Sequence, residues 1–140
     1  YIDNDVPALK QLINEVNNAE MVISSEVRSG KDMTSKGMII ESDGNIINLI
    51  EKPKIEQVCS KFAISGRYIL SSKIFEKLEK LESSERGEIE LTDALNQLLK
   101  DGEKIKHKVI SGKRLDVGTP EEYLRANIAY AKSKGVYNEK

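Results

Sequence analysis

Only one cysteine, Cys59, occurs among the 140 residues, so no intrachain disulfide can form, in keeping with a reducing compartment. Charge of one sign is not in excess either. The 22 Lys and Arg residues balance 23 Asp and Glu, and no long-range field draws in nucleic acid or an anionic membrane. Anion binding therefore has to be local. No apolar run approaches the roughly 18 residues of a membrane span, and no signal-peptide pattern follows Tyr1. These absences lead us to expect a soluble cytoplasmic protein with neither nucleic acid nor membrane as partner. HExxH, CxxC, GxSxG and P-loop motifs are all missing. His107 has no partner at metal-ligand spacing, and Cys59 has no neighbouring basic motif, so it reads as a buried or inert thiol rather than a nucleophile. The chain also lacks an initiator methionine. Its opening, "YIDNDVPALKQ", already lies at the edge of a helical pattern, as in an excised piece or a processed product.

What is present fits a single domain over residues 1–140, a length at which about two thirds of the unfolded surface is buried. Leu9, Leu12, Ile13 and Val16 recur at i, i+3, i+4 and i+7 and predict an amphipathic helix that stops near Asn17 and Asn18. "EMVISSEV" (20–27) predicts a strand, and "RSGKDMTSK" (28–36) a polar loop. "GMIIES" and "NIINLIE" flank Asp43-Gly44, a pair suited to the positive φ angles of a two-residue hairpin turn. "FAISGRYIL" (62–70) is apolar on both parities, as in a strand covered on two faces. Ser71 or Ser72 can cap a helix with a buried stripe of Ile74, Phe75, Leu78 and Leu81. A further helix is defined by Leu91, Leu95, Leu98 and Leu99. "KIKHKVIS" and "KRLDVG" predict strands, and Thr119-Pro120-Glu121-Glu122 is a strong helix start. Strands and helices in this order predict an α/β or α+β layered domain.

Four stretches could carry chemistry. In "NLIEKPK" (48–54), successive strand residues point to opposite faces, so Glu51 and Lys52 could not serve one ligand from a regular strand. Pro53 ends the ladder and biases Lys52 towards extended geometry. Glu51 can then accept hydrogen bonds from hydroxyls while Lys52 reaches an anion; the alternative is a solvated strand end with a loose ion pair. Gly66 inside a strong strand marks a bulge or a close approach, with Tyr68 on the same face; a sheet-packing glycine beside a core tyrosine is equally open. Asp116, where a short strand meets a loop, can hold Mg²⁺ or bond backbone amides in a turn. Thr92 or Asp93 has an ordinary use as a helix cap and dipole partner.

Taken in order, "LIEKPK", "FAISGRYILSSKIFEKLEK", "GEIELTDALNQLL" and "GKRLDVGTPEEYLRANIAYA" resemble the carboxy-terminal half of bacterial UTP:glucose-1-phosphate uridylyltransferases; "LKQLI" and "KGMII" extend the likeness over nearly the whole chain. The resemblance implies a partial nucleotidyltransferase fold, a Rossmann-like α/β/α arrangement with a mixed sheet, and transfer of UMP from UTP to glucose 1-phosphate with Mg²⁺. It implies that Glu51 binds glucose hydroxyls, Lys52 neutralises the sugar phosphate, the Gly66 segment with Tyr68 lines the sugar pocket, and Asp116 is the second of two metal-binding aspartates. Lys52 and Asp116 would then be the catalytic pair. Direct in-line attack needs positioning and charge neutralisation rather than a protein nucleophile.

The departure from that family is that none of the nine glycines forms the G-x-G-T-R loop expected to cradle the triphosphate. Neither Asp3 nor Asp5 is assigned as the first metal aspartate. The expectation is a chain that holds glucose 1-phosphate or the sugar part of UDP-glucose but is inactive alone. Two other readings stand beside it: a relative acting on another nucleotide or hexose, and a non-catalytic module in which Tyr123, Ala126 and Tyr130 of the last helix support a homo-oligomer.

Overall fold

The computed structural model describes residues 2–3, 5–16, 21–84 and 86–136. Its chain divides into two compact units, residues 8–110 and residues 1–7 with 111–140.

In the larger unit, α1 (Ala8–Ile13) is followed by five strands: β2 (Met21–Val27), β3 (Gly37–Ser42), β4 (Asn45–Glu51), β5 (Phe62–Ile69) and β6 (Ile105–Val109). They close into a ring in the order β2-β5-β3-β4-β6. β6 runs parallel to β2 and the other pairings are antiparallel, so the sheet is mixed and the fold class is α/β. α2 (Lys73–Lys80) and α3 (Leu91–Lys100) cover one face, where Ile74, Ala94, Leu95 and Leu98 meet Met21, Ile23, Ile39, Ile46, Leu49, Ile64 and Ile105. A smaller cluster of Met33, Met38 and Ala63 forms separately. Met33 reaches it from a 3-10 turn (Gly30–Ser35) inside the stretch expected to be plain loop.

The hairpin follows from its turn. Asp43 and Gly44 both have positive φ, +51° and +77°, which matches the right-handed twist of the flanking strands. Gly66, at φ +82°, sits where the β2–β5 register slips between Ile23 and Ser25. The glycine therefore marks a bulge; a Cβ there would meet nothing within 4 Å.

Several expectations about faces change. The buried residues of α1 are Ala8, Gln11 and Leu12, while Leu9 and Ile13 are about half exposed. Periodicity locates an apolar arc, but the surface of β2 and β5 decides which part of it is covered, and in a six-residue helix one step turns two leucine-sized positions out. α1 ends at Ile13, short of the expected stop near Asn17 and Asn18, which themselves lie outside the described residues. Phe75 is 65% exposed, so α2 packs through Ile74 and the half-buried Leu78. Neither helix is capped as expected. Ser72 stands at the N-cap of α2 without a side-chain bond, and the N-cap of α3 is Glu90, which leaves Thr92 buried in the first turn. Cys59 is exposed, which removes burial from the two alternatives of a buried or an inert thiol. No described helix is long and apolar enough to cross a membrane.

In the smaller unit, β1 (Ile2–Asp3) pairs antiparallel with β7 (Lys113–Arg114), and α4 (Pro120–Ser133) follows. Thr119 caps α4 as its sequence predicts, its hydroxyl accepting from the Glu122 N–H at 3.2 Å with Pro120 at the first helical position.

Candidate functional site

β4 ends at Glu51, and the chain then reverses. Lys52 is not extended, as expected ahead of a proline, but left-handed at φ +44°. Its N–H still donates to the Lys36 carbonyl at 3.0 Å, while Pro53 is fully buried. Proline disfavours the right-handed helical region for the residue before it, so the left-handed turn lets the chain keep the bond and bury the ring. Such a conformation costs about 1–3 kcal/mol for a residue with a side chain. It also breaks the strand alternation that would send Glu51 and Lys52 to opposite faces.

Glu51 is half-buried and Lys52 exposed. Glu51 lines a cleft of about 280 Å³ with Ser84, Arg86, Glu90 and Asp93. Arg86 Nε and Nη2 donate to the Glu90 carboxylate, and its Nη1 donates to the Glu51 carbonyl at 3.3 Å. Burial holds the Glu51 carboxyl above its ordinary range, helped by the negative charge of Glu90 and opposed by Lys52 and Arg86. Tyr68, half-buried on β5, has its hydroxyl pushed up by burial and then by the charge of Glu51, so the two lie within electrostatic reach. Gly66 is exposed two positions earlier, across the bulge, where strict alternation no longer applies.

The sequence does not single out Arg86 or Glu90, and it offers Asp93 only as a helix cap or dipole partner. Arg86 is exposed in the segment before α3, and Asp93 lies in the first turn of that helix, where a dipole partner is expected. The arginine beside "GEIE" was the available signal, because a cation next to a paired carboxylate is seldom free decoration in a cleft. Gly37 was missed as well. It faces Glu51 in the β3–β4 register, and a Cβ on it would lie 2.8 Å from Ile64 Cδ1 and 3.0 Å from Glu51 Oε2.

Asp116 is in the smaller unit, exposed. One of its oxygens accepts from Arg114 Nη2 and the other from the Val117 N–H, both at 3.0 Å. A bond to a backbone amide is one of the two uses that the sequence left open for this carboxylate. Among the described residues no group of three His, Cys, Asp or Glu is placed to hold a metal ion. A lone carboxylate fits only a cation that keeps water and phosphate oxygens as its remaining ligands, which is the habit of Mg²⁺. His107 lies on β6, its Nδ1 2.8 Å from Ser25 Oγ and its ring 4.6 Å from that of Phe62.

The sequence profile described as Nucleotidyl transferase matches residues 2–133. A UTP--glucose-1-phosphate uridylyltransferase from Pseudomonas aeruginosa is 37% identical over 129 residues, covering 87% of this chain and 46% of the relative. The bifunctional protein GlmU of Methanococcus maripaludis is 42% identical over 117 residues, 82% of this chain and 28% of its own. The crystal structure of a UDP-glucose pyrophosphorylase complexed with UDP-glucose superimposes with a TM-score of 0.82 at 32% identity, covering 94% of this chain and 52% of that one. The chain thus spans about half or less of the length of these proteins.

Proposed function

Because this chain belongs to the nucleotidyl transferase family, we propose that it forms the sugar-phosphate side of an enzyme that transfers UMP from UTP to glucose 1-phosphate, giving UDP-glucose and pyrophosphate. The observation that carries this reading is the end of β4, where the half-buried Glu51 and the exposed, left-handed Lys52 stand on adjacent residues beside the Arg86 cleft. A carboxylate accepts hydrogen bonds from two sugar hydroxyls at once, and an ammonium neutralises a phosphate through charge-assisted bonds. Tyr68 and the Gly66 bulge on β5 line the sugar side. The phosphate oxygen so held attacks the α-phosphate of UTP and pyrophosphate leaves, a displacement that rests on positioning and charge neutralisation. In the smaller unit, Asp116 would be this chain's carboxylate for Mg²⁺, an ion that supplies charge neutralisation in phosphoryl transfer. Since the relatives are about twice as long or more, the chain by itself binds sugar phosphate without turnover.

Calorimetric titration with glucose 1-phosphate, set beside N-acetylglucosamine 1-phosphate and UTP, tests the reading. Saturable binding of glucose 1-phosphate with no pyrophosphate release is expected. Binding of UTP alone, or turnover at ordinary enzymatic rates, overturns it. Preference for the acetylated sugar would move the chain to the branch of its GlmU relative.

A second reading rests on α4, where Tyr123, Leu124, Ile128 and Tyr130 are exposed and Ala126 is buried. This face suits self-association. Light scattering that gives only the 15.7 kDa monomer would remove it.

A further inference from the structure

The outer edge of β4 is completed by side chains instead of a strand. Among the described residues, β4 meets β6 only at Asn45 and Lys106, near its start. From there to Glu51, one side of the strand is paired with β3, and the groups pointing the other way belong to alternate residues, including Leu49 and Glu51. Asn96 of α3 meets the first of these. Its Oδ1 accepts from the Leu49 N–H at 2.9 Å, and its Nδ2 donates to the Leu49 carbonyl at 2.8 Å. A carboxamide carries one donor and one acceptor side by side, so it makes the same two-bond exchange that a residue of a neighbouring strand would make. The amide orientation is set by these bonds, since the flipped form would oppose donor to donor and acceptor to acceptor. Leu49 is almost fully buried, so water does not readily replace the pair.

Asn96 is also rigidly placed, because Leu95 and Leu98 on the same helix are fully buried in the main core. Arg86 reaches the next outward-facing group, the Glu51 carbonyl, but it does so from an exposed segment. The fixed point nearest the site on this edge is therefore Leu49, held by Asn96, two residues before Glu51 and three before the strained turn at Lys52.

We infer that Asn96 is a positioning residue for hexose 1-phosphate: by pairing with Leu49 it transmits the rigidity of α3 to the end of β4 and holds Glu51 and Lys52 in register for one ligand. This rests on the sugar-phosphate reading of the site and adds to it a residue that touches neither sugar nor phosphate. A site held to within about half an ångström depends on such support.

The test uses the whole chain and two readouts, amide hydrogen exchange at Leu49 and Lys52, and calorimetric titration with glucose 1-phosphate. Asn96→Leu keeps the side-chain size and removes both bonds; Asn96→Asp keeps the acceptor and removes the donor. Ile46→Val is the control, loosening a buried contact of the same strand without touching its edge. Asn96→Leu is expected to speed exchange at both amides and to weaken binding about tenfold, with Asn96→Asp in between and Ile46→Val binding as the parent does. Unchanged exchange in Asn96→Leu overturns the inference. So does fast exchange with parental affinity, or a loss of affinity that Ile46→Val matches at equal loss of Tm. Should the parent chain fail to bind glucose 1-phosphate, the reading of the site fails, and the clamp is then judged by exchange alone: loss of protection at Lys52 as well as Leu49 supports it, and loss at Leu49 only refutes it.

Discussion

Gly37 and Glu51 face each other across the β3–β4 ladder, and a Cβ on the glycine would lie 3.0 Å from Glu51 Oε2 and 2.8 Å from Ile64 Cδ1, so that the end of one of these side chains would have to shift. The carboxylate that defines the site is thus set down on bare backbone, with an isoleucine from β5 closing the other side.

Substituting Gly37→Ala tests that relationship. The added methyl group has to push the end of Ile64 or the Glu51 carboxylate aside, and because both are ends of flexible side chains the cost is about 1 kcal/mol, the low end for overpacking. We expect a lower Tm and weaker glucose 1-phosphate binding. Unchanged affinity would show that Ile64 gives way alone and that the carboxylate position is not set from below.

Lys52→Gly separates strain from function. Glycine adopts φ +44° without the penalty borne by lysine, so the variant is expected to unfold at an equal or higher Tm. Removing the ammonium should at the same time weaken phosphate binding, by about 1.5–3 kcal/mol for a charge-assisted contact. A lower Tm would argue against the strain at Lys52, and an unchanged affinity would argue against its contact with phosphate.

The Glu51 carboxyl gives a pH signature. Its folded-state pKa is raised above 4.5, mainly by burial and then by Glu90. The folded protein therefore binds this proton more tightly than the unfolded chain does. The contribution of Glu51 to stability is full below pH 4.5 and is lost as pH rises through the raised value. Glu51→Gln should remove that loss and show a flatter profile of Tm against pH in this window. Hydroxyls donating to the carboxylate favour its charged form, so binding of glucose 1-phosphate near the raised pKa should release protons. Titrations in two buffers of different ionisation heat would register the release.

His107 titrates with the opposite sense. Burial lowers its folded pKa below 6.5, against a smaller opposing pull from Glu41. The neutral ring, beside Ser25 and Phe62, is the form the fold accepts. Stability is full above pH 6.5 and falls as pH drops through that value towards the folded pKa. Thermal unfolding followed from pH 8 to pH 5.5 should show the fall, and His107→Phe should lessen it.

Local rules written into neighbouring residues were legible in the sequence. Asp43-Gly44 required a tight hairpin because both residues tolerate positive φ, and Thr119-Pro120 required a helix start because one supplies the cap and the other a preset φ. The order of the four motifs carried the family, and Glu51-Lys52-Pro53 was recognisable as the end of a strand.

Tertiary structure decided which faces and which partners those elements use. α1 turns Leu12 inward and Leu9 outward because the surface of β2 and β5 selects the arc. Lys52 is left-handed because its N–H is held by Lys36, sixteen residues earlier in the chain, while Pro53 goes inward. Asn96 finds Leu49 across 47 residues, and Arg86 finds the Glu51 carbonyl across 35. Spacing along the chain encodes periodicity and turn chemistry, which act over a few residues. The site depends on hydrogen bonds and charges between segments far apart in sequence, and only the ring of strands with α3 against β4 brings them within reach.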